Sequence, residues 1–190
     1  MSEVSTSDFP KPDPIEVSIQ KAFENEHIKR FLHMSVFNFS QGLPETAKAP
    51  LREILKTFME SAAKLALASK IPEPDMSLPN WKDGFANSLE NGLLNGQAFT
   101  NLVEQTKTEI KNKFPSIDNP MAFTDFPYMQ MANNISQVAY MHSYNIDPKY
   151  IFLTPEEMAK ETKHRINTAR KAGKKVEFEQ ADDNGGETIQ

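Results

Sequence analysis

A chain of 190 residues with 26 acids, 21 Lys or Arg and a net charge of −5 is long enough for one domain with tails, and its overall field opposes nucleic acid and anionic membrane. The absence of cysteine excludes disulfides, thiolate metal sites and cysteine nucleophiles. No stretch approaches the ~20 apolar residues of a membrane span, so a soluble, cytoplasmic protein is expected.

Residues 1–13 are rich in Ser, Asp and Pro and carry neither a signal-peptide nor a lipidation pattern. They are expected to form a disordered polar tail. Asp13-Pro14 then reads as a helix start, an acid at the N-cap and proline at the first helical position. One long first helix is expected, with Ile15, Ile19, Phe23, Phe31 and Phe37 as apolar positions and Gly42 and Pro44 as its end. The second helix is the clearest. Pro50 opens it, and Leu51, Ile54, Leu55, Phe58, Ala62, Leu65 and Ala66 fall on one face. Ser61, Ala62, Ala63 and Ala66 are small enough to let another helix approach closely.

Pro72, Pro74 and Pro79 impose an extended linker. Trp81, Phe85 and Leu89 mark a third helix, weakened by Gly84 and Gly92, and Asn95-Gly96 breaks the chain. Phe99, Leu102, Val103, Thr106, Ile110 and Phe114 mark a fourth, stopped by Pro115. A fifth begins near Asp125 and Pro127, with Tyr128, Met131, Ala132, Ile135, Ala139 and His142 on one face. Tyr128, Met129, Met131, Tyr140, Met141 and Tyr144 circle most of that helix, which implies burial on several sides or a partner surface. Asn145 to Pro148 reads as a turn. Thr154-Pro155-Glu156-Glu157 is a capping box that opens a sixth helix, and Gly173 is a natural residue to close it. The fold class is therefore all-α: an irregular bundle of five or six helices over residues 14–173, with polar tails at 1–13 and 174–190. The longest alternating pattern, Val176 to Glu179, is too short to argue for a sheet.

Two Glu-x-x-His pairs, Glu24…His27 and Glu161…His164, have the spacing used in carboxylate-bridged di-iron bundles. On the sixth helix, Met158, Ala159, Ile166 and Ala169 define the apolar face, and both Glu161 and His164 project away from it. The pairs are read as solvated helix positions, and no metal or other cofactor is expected. His142 is read as a hydrogen-bonded histidine at the core boundary, and His27 and His33 as surface or interface residues. No zinc-protease helix, nucleophile elbow or phosphate loop occurs, and the seven glycines never cluster.

The most distinctive feature is a reversal of charge near the end of the chain. Residues 160–175 hold seven Lys or Arg and one acid, Glu161, whereas residues 177–187 hold five acids and no base. Arg170 and Lys171 suit a helix C-terminus, where cations complement the dipole. Lys174 and Lys175 lie beyond the break and need another reason. Lys163, Arg165, Arg170, Lys171, Lys174 and Lys175 are the candidate partner-binding residues. The acids that follow would compete with phosphate, which favours a protein partner over nucleic acid.

Residues 126–175, through Asp147-Pro148-Lys149-Tyr150-Ile151-Phe152-Leu153-Thr154-Pro155-Glu156-Glu157, resemble the C-terminal region of tailed-phage portal proteins. The shared layout is a helix, a short apolar segment, a charged helix and a polar tail. The likeness covers about a quarter of the chain, and the clip and wing regions of a portal have no counterpart. It implies a virion or head–tail assembly component and transfers no catalytic residue. The expectation is a non-enzymatic helical assembly or adaptor protein with protein partners, in a homo- or hetero-oligomeric assembly. The alternative is a nucleic-acid-associated protein acting through residues 160–175.

Overall fold

The computed structural model describes residues 13–93 and 96–173. The expected tails, the strand-like run at Val176 to Glu179, and Lys174 and Lys175 lie outside the described residues, apart from Asp13. Among the described residues there are eight α-helices, two short 3-10 turns and no strand. They are α1 (Pro14–Glu24), α2 (Glu26–Phe39), α3 (Lys48–Ala68), α4 (Trp81–Leu93), α5 (Gln97–Lys113), α6 (Asp125–Ser143), α7 (Lys149–Phe152) and α8 (Pro155–Lys171). The chain clusters into two compact units that divide between Ile151 and Phe152.

The count exceeds five or six for two physical reasons. The expected first helix is two helices, because Asn25 leaves the helical region at φ −69° and ψ 131°. Its side-chain oxygen accepts from the backbone N–H of His27 at 2.9 Å and of Ile28 at 3.4 Å, so Asn25 ends α1 and caps α2. The break resets the helical phase. α2 buries Ile28, Leu32, Val36 and Phe39, while Phe37, expected among the apolar positions, is 47% exposed. The second addition is α7, a single turn within the stretch read as an apolar connector, with Tyr150 buried.

Elsewhere the local signals act as expected. The Asp13 carboxylate accepts from the Ile15 N–H at 3.0 Å, and Pro14 takes the first helical position. α3 starts two residues before Pro50, which is tolerated in a first turn because its missing N–H would have no intrahelical partner. Of the α3 stripe, Leu51, Ile54, Leu55, Phe58, Ala62 and Ala66 are buried and Leu65 is half-buried. Trp81, Phe85 and Leu89 are buried on α4. Phe99, Val103, Thr106 and Ile110 are buried on α5, with Leu102 half-buried.

α3 and α6 form the centre of the first unit. Each packs on the other, and both also meet α1, α2 and α4, while α3 alone meets α5 as closely. Ala62, Ala63 and Ala66 are fully buried, as small residues at a close helix crossing should be. α6 buries ten residues, including Tyr128, Met131, Ile135, Tyr140 and Met141. Central placement therefore accounts for the ring of aromatic and Met side chains around it.

Two aromatic nodes pin the ends of α6. Near its start, the Tyr128 ring meets Phe58 edge-on at 5.2 Å and Phe39 at 5.7 Å, and its hydroxyl donates to the Ala122 carbonyl at 2.6 Å. Burial raises the Tyr128 phenol well above its ordinary value. Near the end of α6, Tyr140 meets Phe85 edge-on at 5.9 Å and stacks on Tyr144 at 5.6 Å. Between the start of α6 and α5, Lys107 bridges Asp125 at 2.5 Å and Glu104 at 2.9 Å. Burial alone would lower the Lys107 ammonium, but its bonds to Asp125 and Glu104 outweigh that and hold it above its ordinary value.

The Tyr140 hydroxyl completes the end of α3. A Schellman ending joins the N–H two residues past the C-cap to the carbonyl three residues before it. Here those groups are the Ile71 N–H and the Ala66 carbonyl, and the Tyr140 hydroxyl stands between them. It donates to Ala66 and accepts from Ile71 at 3.2 Å. The Tyr144 hydroxyl donates to the Ile71 carbonyl. Tyr140 of α6 and Tyr144, its C-cap residue, thus satisfy the backbone that leaves α3.

Candidate interaction site

The residues singled out for partner binding that are described here lie on α8, in the second unit. Both ends of this helix are closed by local chemistry. The Thr154 hydroxyl accepts from the Glu157 N–H at 3.2 Å, and the Glu157 carboxylate accepts from the Thr154 N–H at 2.8 Å. At the other end Gly173 takes φ +71° and its N–H bonds the Arg170 carbonyl at 3.1 Å. The left-handed conformation favours glycine there. Glu156 and Glu157 in the first turn and Arg170 and Lys171 in the last both oppose the macrodipole.

α8 has seventeen residues and none is buried. Met158, Glu161, Ile166 and Ala169 are half-buried and the rest are exposed. By helical periodicity, Met158, Ile166 and Ala169 form one narrow stripe. Lys160, Lys163, Arg170 and Lys171 fall together on the opposite side with His164. Arg165 does not join them. It lies on the stripe side, where its guanidinium stands 4.0 Å from Glu161 one turn back. The helix therefore brings Lys163, Arg170 and Lys171 together and separates Arg165 from them.

The histidine pairs are corrected by the same geometry. Glu24 ends α1 and His27 belongs to α2, so the break at Asn25 removes the continuous helix that their spacing needs. On α8, His164 is exposed on the cationic side, but Glu161 is not fully solvated. It flanks the stripe with its side chain 27% exposed, while Ala159, expected on the apolar face, is exposed. Among the described residues, no group of three His, Asp or Glu side chains could hold a metal ion. His142 sits at the core boundary, half-buried as expected, but among the described residues its imidazole has no hydrogen-bond partner.

A second surface escaped the sequence reading. On α2, Arg30, His33, Met34 and Phe37 recur at i, i+3, i+4 and i+7, and all are exposed. Beside them a hollow of about 210 Å³ is lined by His33, Val36, Phe37, Lys48, Ala49 and Arg52. The Lys48 ammonium lies 5.7 Å over the Phe37 ring and 2.8 Å from Glu45. The periodicity was present in the sequence, but a helix phased from Ile15 turns Phe37 inward and hides it. No described helix is long and apolar enough to cross a membrane.

Comparison with family profiles, curated proteins and solved structures finds no match to this chain.

Proposed function

We propose that this is a non-enzymatic helical adaptor or assembly protein that engages an acidic protein surface through α8. The observation that carries the reading is a capped seventeen-residue helix with no buried residue. Helices in proteins draw most of their stability from packing an apolar face rather than from propensity. The stripe of Met158, Ile166 and Ala169 offers such a face. Lys160, Lys163, Arg170 and Lys171 supply charge that steers and selects an acidic partner. The resemblance of residues 126–175 to portal C-terminal regions supports a head–tail assembly setting. The four cations gathered on one side of α8 are what favours the alternative, a phosphate-backbone contact. The net charge of −5 and the acids after residue 176 argue against it.

The test uses the full chain from its native source, with two variants. One replaces Lys163, Arg165, Arg170, Lys171, Lys174 and Lys175 with Gln. The other replaces Met158 and Ile166 with Ser. Circular dichroism should show the fold of the first unit retained in both. A partner identified by affinity capture and mass spectrometry, then remixed as a purified protein, should bind the native chain and lose affinity for each variant. Sub-micromolar binding of DNA or RNA by the intact chain, falling steeply with salt, would replace this reading with the alternative.

A further inference from the structure

The first unit contains a cleft that neither the sequence reading nor the α8 proposal uses. It measures about 530 Å³ and is walled by α1, by the chain leaving α3 and by the end of α6. That size is in the range of small-molecule sites, roughly 300–1,000 Å³. Its apolar lining comes from Ile15 and Val17 on α1, Leu67 near the end of α3, Ile71 just beyond it, and Tyr140.

Every charged side chain that lines the cleft is a cation. Lys21 comes from α1 and Lys70 from the end of α3. Among the described residues neither has a carboxylate within ion-pair distance. His142 and Asn145 add an imidazole and an amide. Burial, and next the charge of Lys21, hold the His142 imidazole below its ordinary value, against the opposing charges of Asp147 and Glu24, which do not line the cleft. Ser143 is already engaged, its hydroxyl donating to the Tyr140 carbonyl at 2.6 Å.

The walls are fixed before any ligand arrives. The Tyr140 and Tyr144 hydroxyls are both spent on the backbone of Ala66 and Ile71, which locks the rings and the turn together. α6 closes with a complete Schellman ending, in which the Asn145 N–H bonds His142 at 3.1 Å and the Ile146 N–H bonds Met141 at 2.9 Å. Asn145 and Lys70 are the two non-glycine residues at positive φ among the described residues, and both line this cleft. Each follows a helix C-cap, which explains the backbone. The consequence is that two helix ends deliver a lysine and an asparagine side chain to one place.

We propose that the cleft between α1, the end of α3 and the end of α6 binds a small amphipathic carboxylate, its apolar body against Ile15, Leu67, Ile71 and Tyr140 and its charge between Lys21 and Lys70. A neutral molecule of the same shape would gain no Coulombic contact with these two exposed ammonium groups. A dicarboxylate would place a second charge against the apolar walls, which costs more than one lysine returns.

The test is a titration of the full chain with decanoate, below its micelle concentration, followed by ¹H–¹⁵N NMR. Decanol serves as the uncharged analogue. Saturable shifts are expected in residues 15–21, 67–71 and 140–145, with decanol binding several-fold weaker, as loss of contact with two exposed cations implies. Lys21→Gln and Lys70→Asn should each weaken decanoate several-fold and leave decanol unchanged, Asn being chosen because it tolerates left-handed backbone. Lys56→Gln, outside the cleft, should change neither. The proposal is overturned by the absence of saturable binding, by shifts centred elsewhere, or by equal affinity for decanoate and decanol. Undiminished decanoate binding in both the Lys21→Gln and the Lys70→Asn variant would overturn it as well.

Discussion

α6 and α8 are close in length, nineteen and seventeen residues, yet α6 buries ten of its residues and α8 none. Their local signals run the other way. α8 has a reciprocal capping box, proline at its first position, acids first, cations last and a glycine to close it. α6 begins after Thr124, whose side chain makes no capping bond, and carries four β-branched or aromatic residues, Tyr128, Ile135, Val138 and Tyr140, at buried positions. The contrast separates two jobs that a sequence does at once. Caps and dipole complements, each worth about 1 kcal/mol, decide where a helix starts and stops. Burial, at roughly 1.5–3 kcal/mol for a large side chain, decides how firmly it is held. α6 relies on the second and α8 on the first.

The comparison is broken most directly by truncating one isoleucine on each helix. Ile135→Ala on α6 should cost about 2–5 kcal/mol, since Ile135 is fully buried and a cavity would remain. Ile166→Ala on α8 should cost well under 1 kcal/mol, because the side chain is only half-buried and alanine has the higher helix propensity. Urea denaturation measures both. Equal losses would show that the two helices are not held differently.

A sharper probe removes one oxygen atom. Tyr140→Phe leaves the Ile71 N–H without its partner, while the Ala66 carbonyl still accepts from Ser69 at 3.1 Å. The expected cost is about 1–3 kcal/mol, with little change in packing. The same pair of tyrosines gives the fold an alkaline limit. Burial, the adjacent Tyr140 and Glu73 push the Tyr144 phenol up to about 12, and burial also raises Tyr140. A phenol raised in the folded state stabilises it fully below the unfolded value of 10.0. That contribution is lost as pH rises toward about 12. Ultraviolet titration should therefore show these phenols ionising late and together with unfolding. Ionisation near 10 with the fold intact would contradict the clamp.

The smallest effect belongs to α8. Thr154→Ala removes one half of the capping box and should cost about 0.5–2 kcal/mol of helix stability. Hydrogen exchange should report the loss as faster exchange in the first turn of α8. The exchange of core amides in α3 and α6 should not change.

The sequence by itself determined several helix ends that neighbours in the chain set. Asp13-Pro14, the Thr154 capping box and Gly173 are local devices, and their geometry follows from residues one to four positions away. The α3 stripe and the Trp81, Phe85 and Leu89 spacing were legible because a buried face repeats with the period of the helix. The cationic run on α8 was legible as composition, and its division into a face that excludes Arg165 follows from the same periodicity. Other features needed tertiary structure, because each rests on a balance or a distance that no local pattern encodes. Asn25 can sit inside a helix or cap one, and the structure shows it capping, which turned Phe37 outward and exposed the α2 surface. The ring of aromatic and Met residues on α6 fitted central burial as well as a partner surface, until α1, α2, α3 and α4 were seen packed around it. Lys21, Lys70 and Tyr140 lie far apart in the chain and signal nothing separately. Only packing brings two helix ends and a third helix together, places both lysines at one cleft and passes the unfinished end of α3 to a tyrosine.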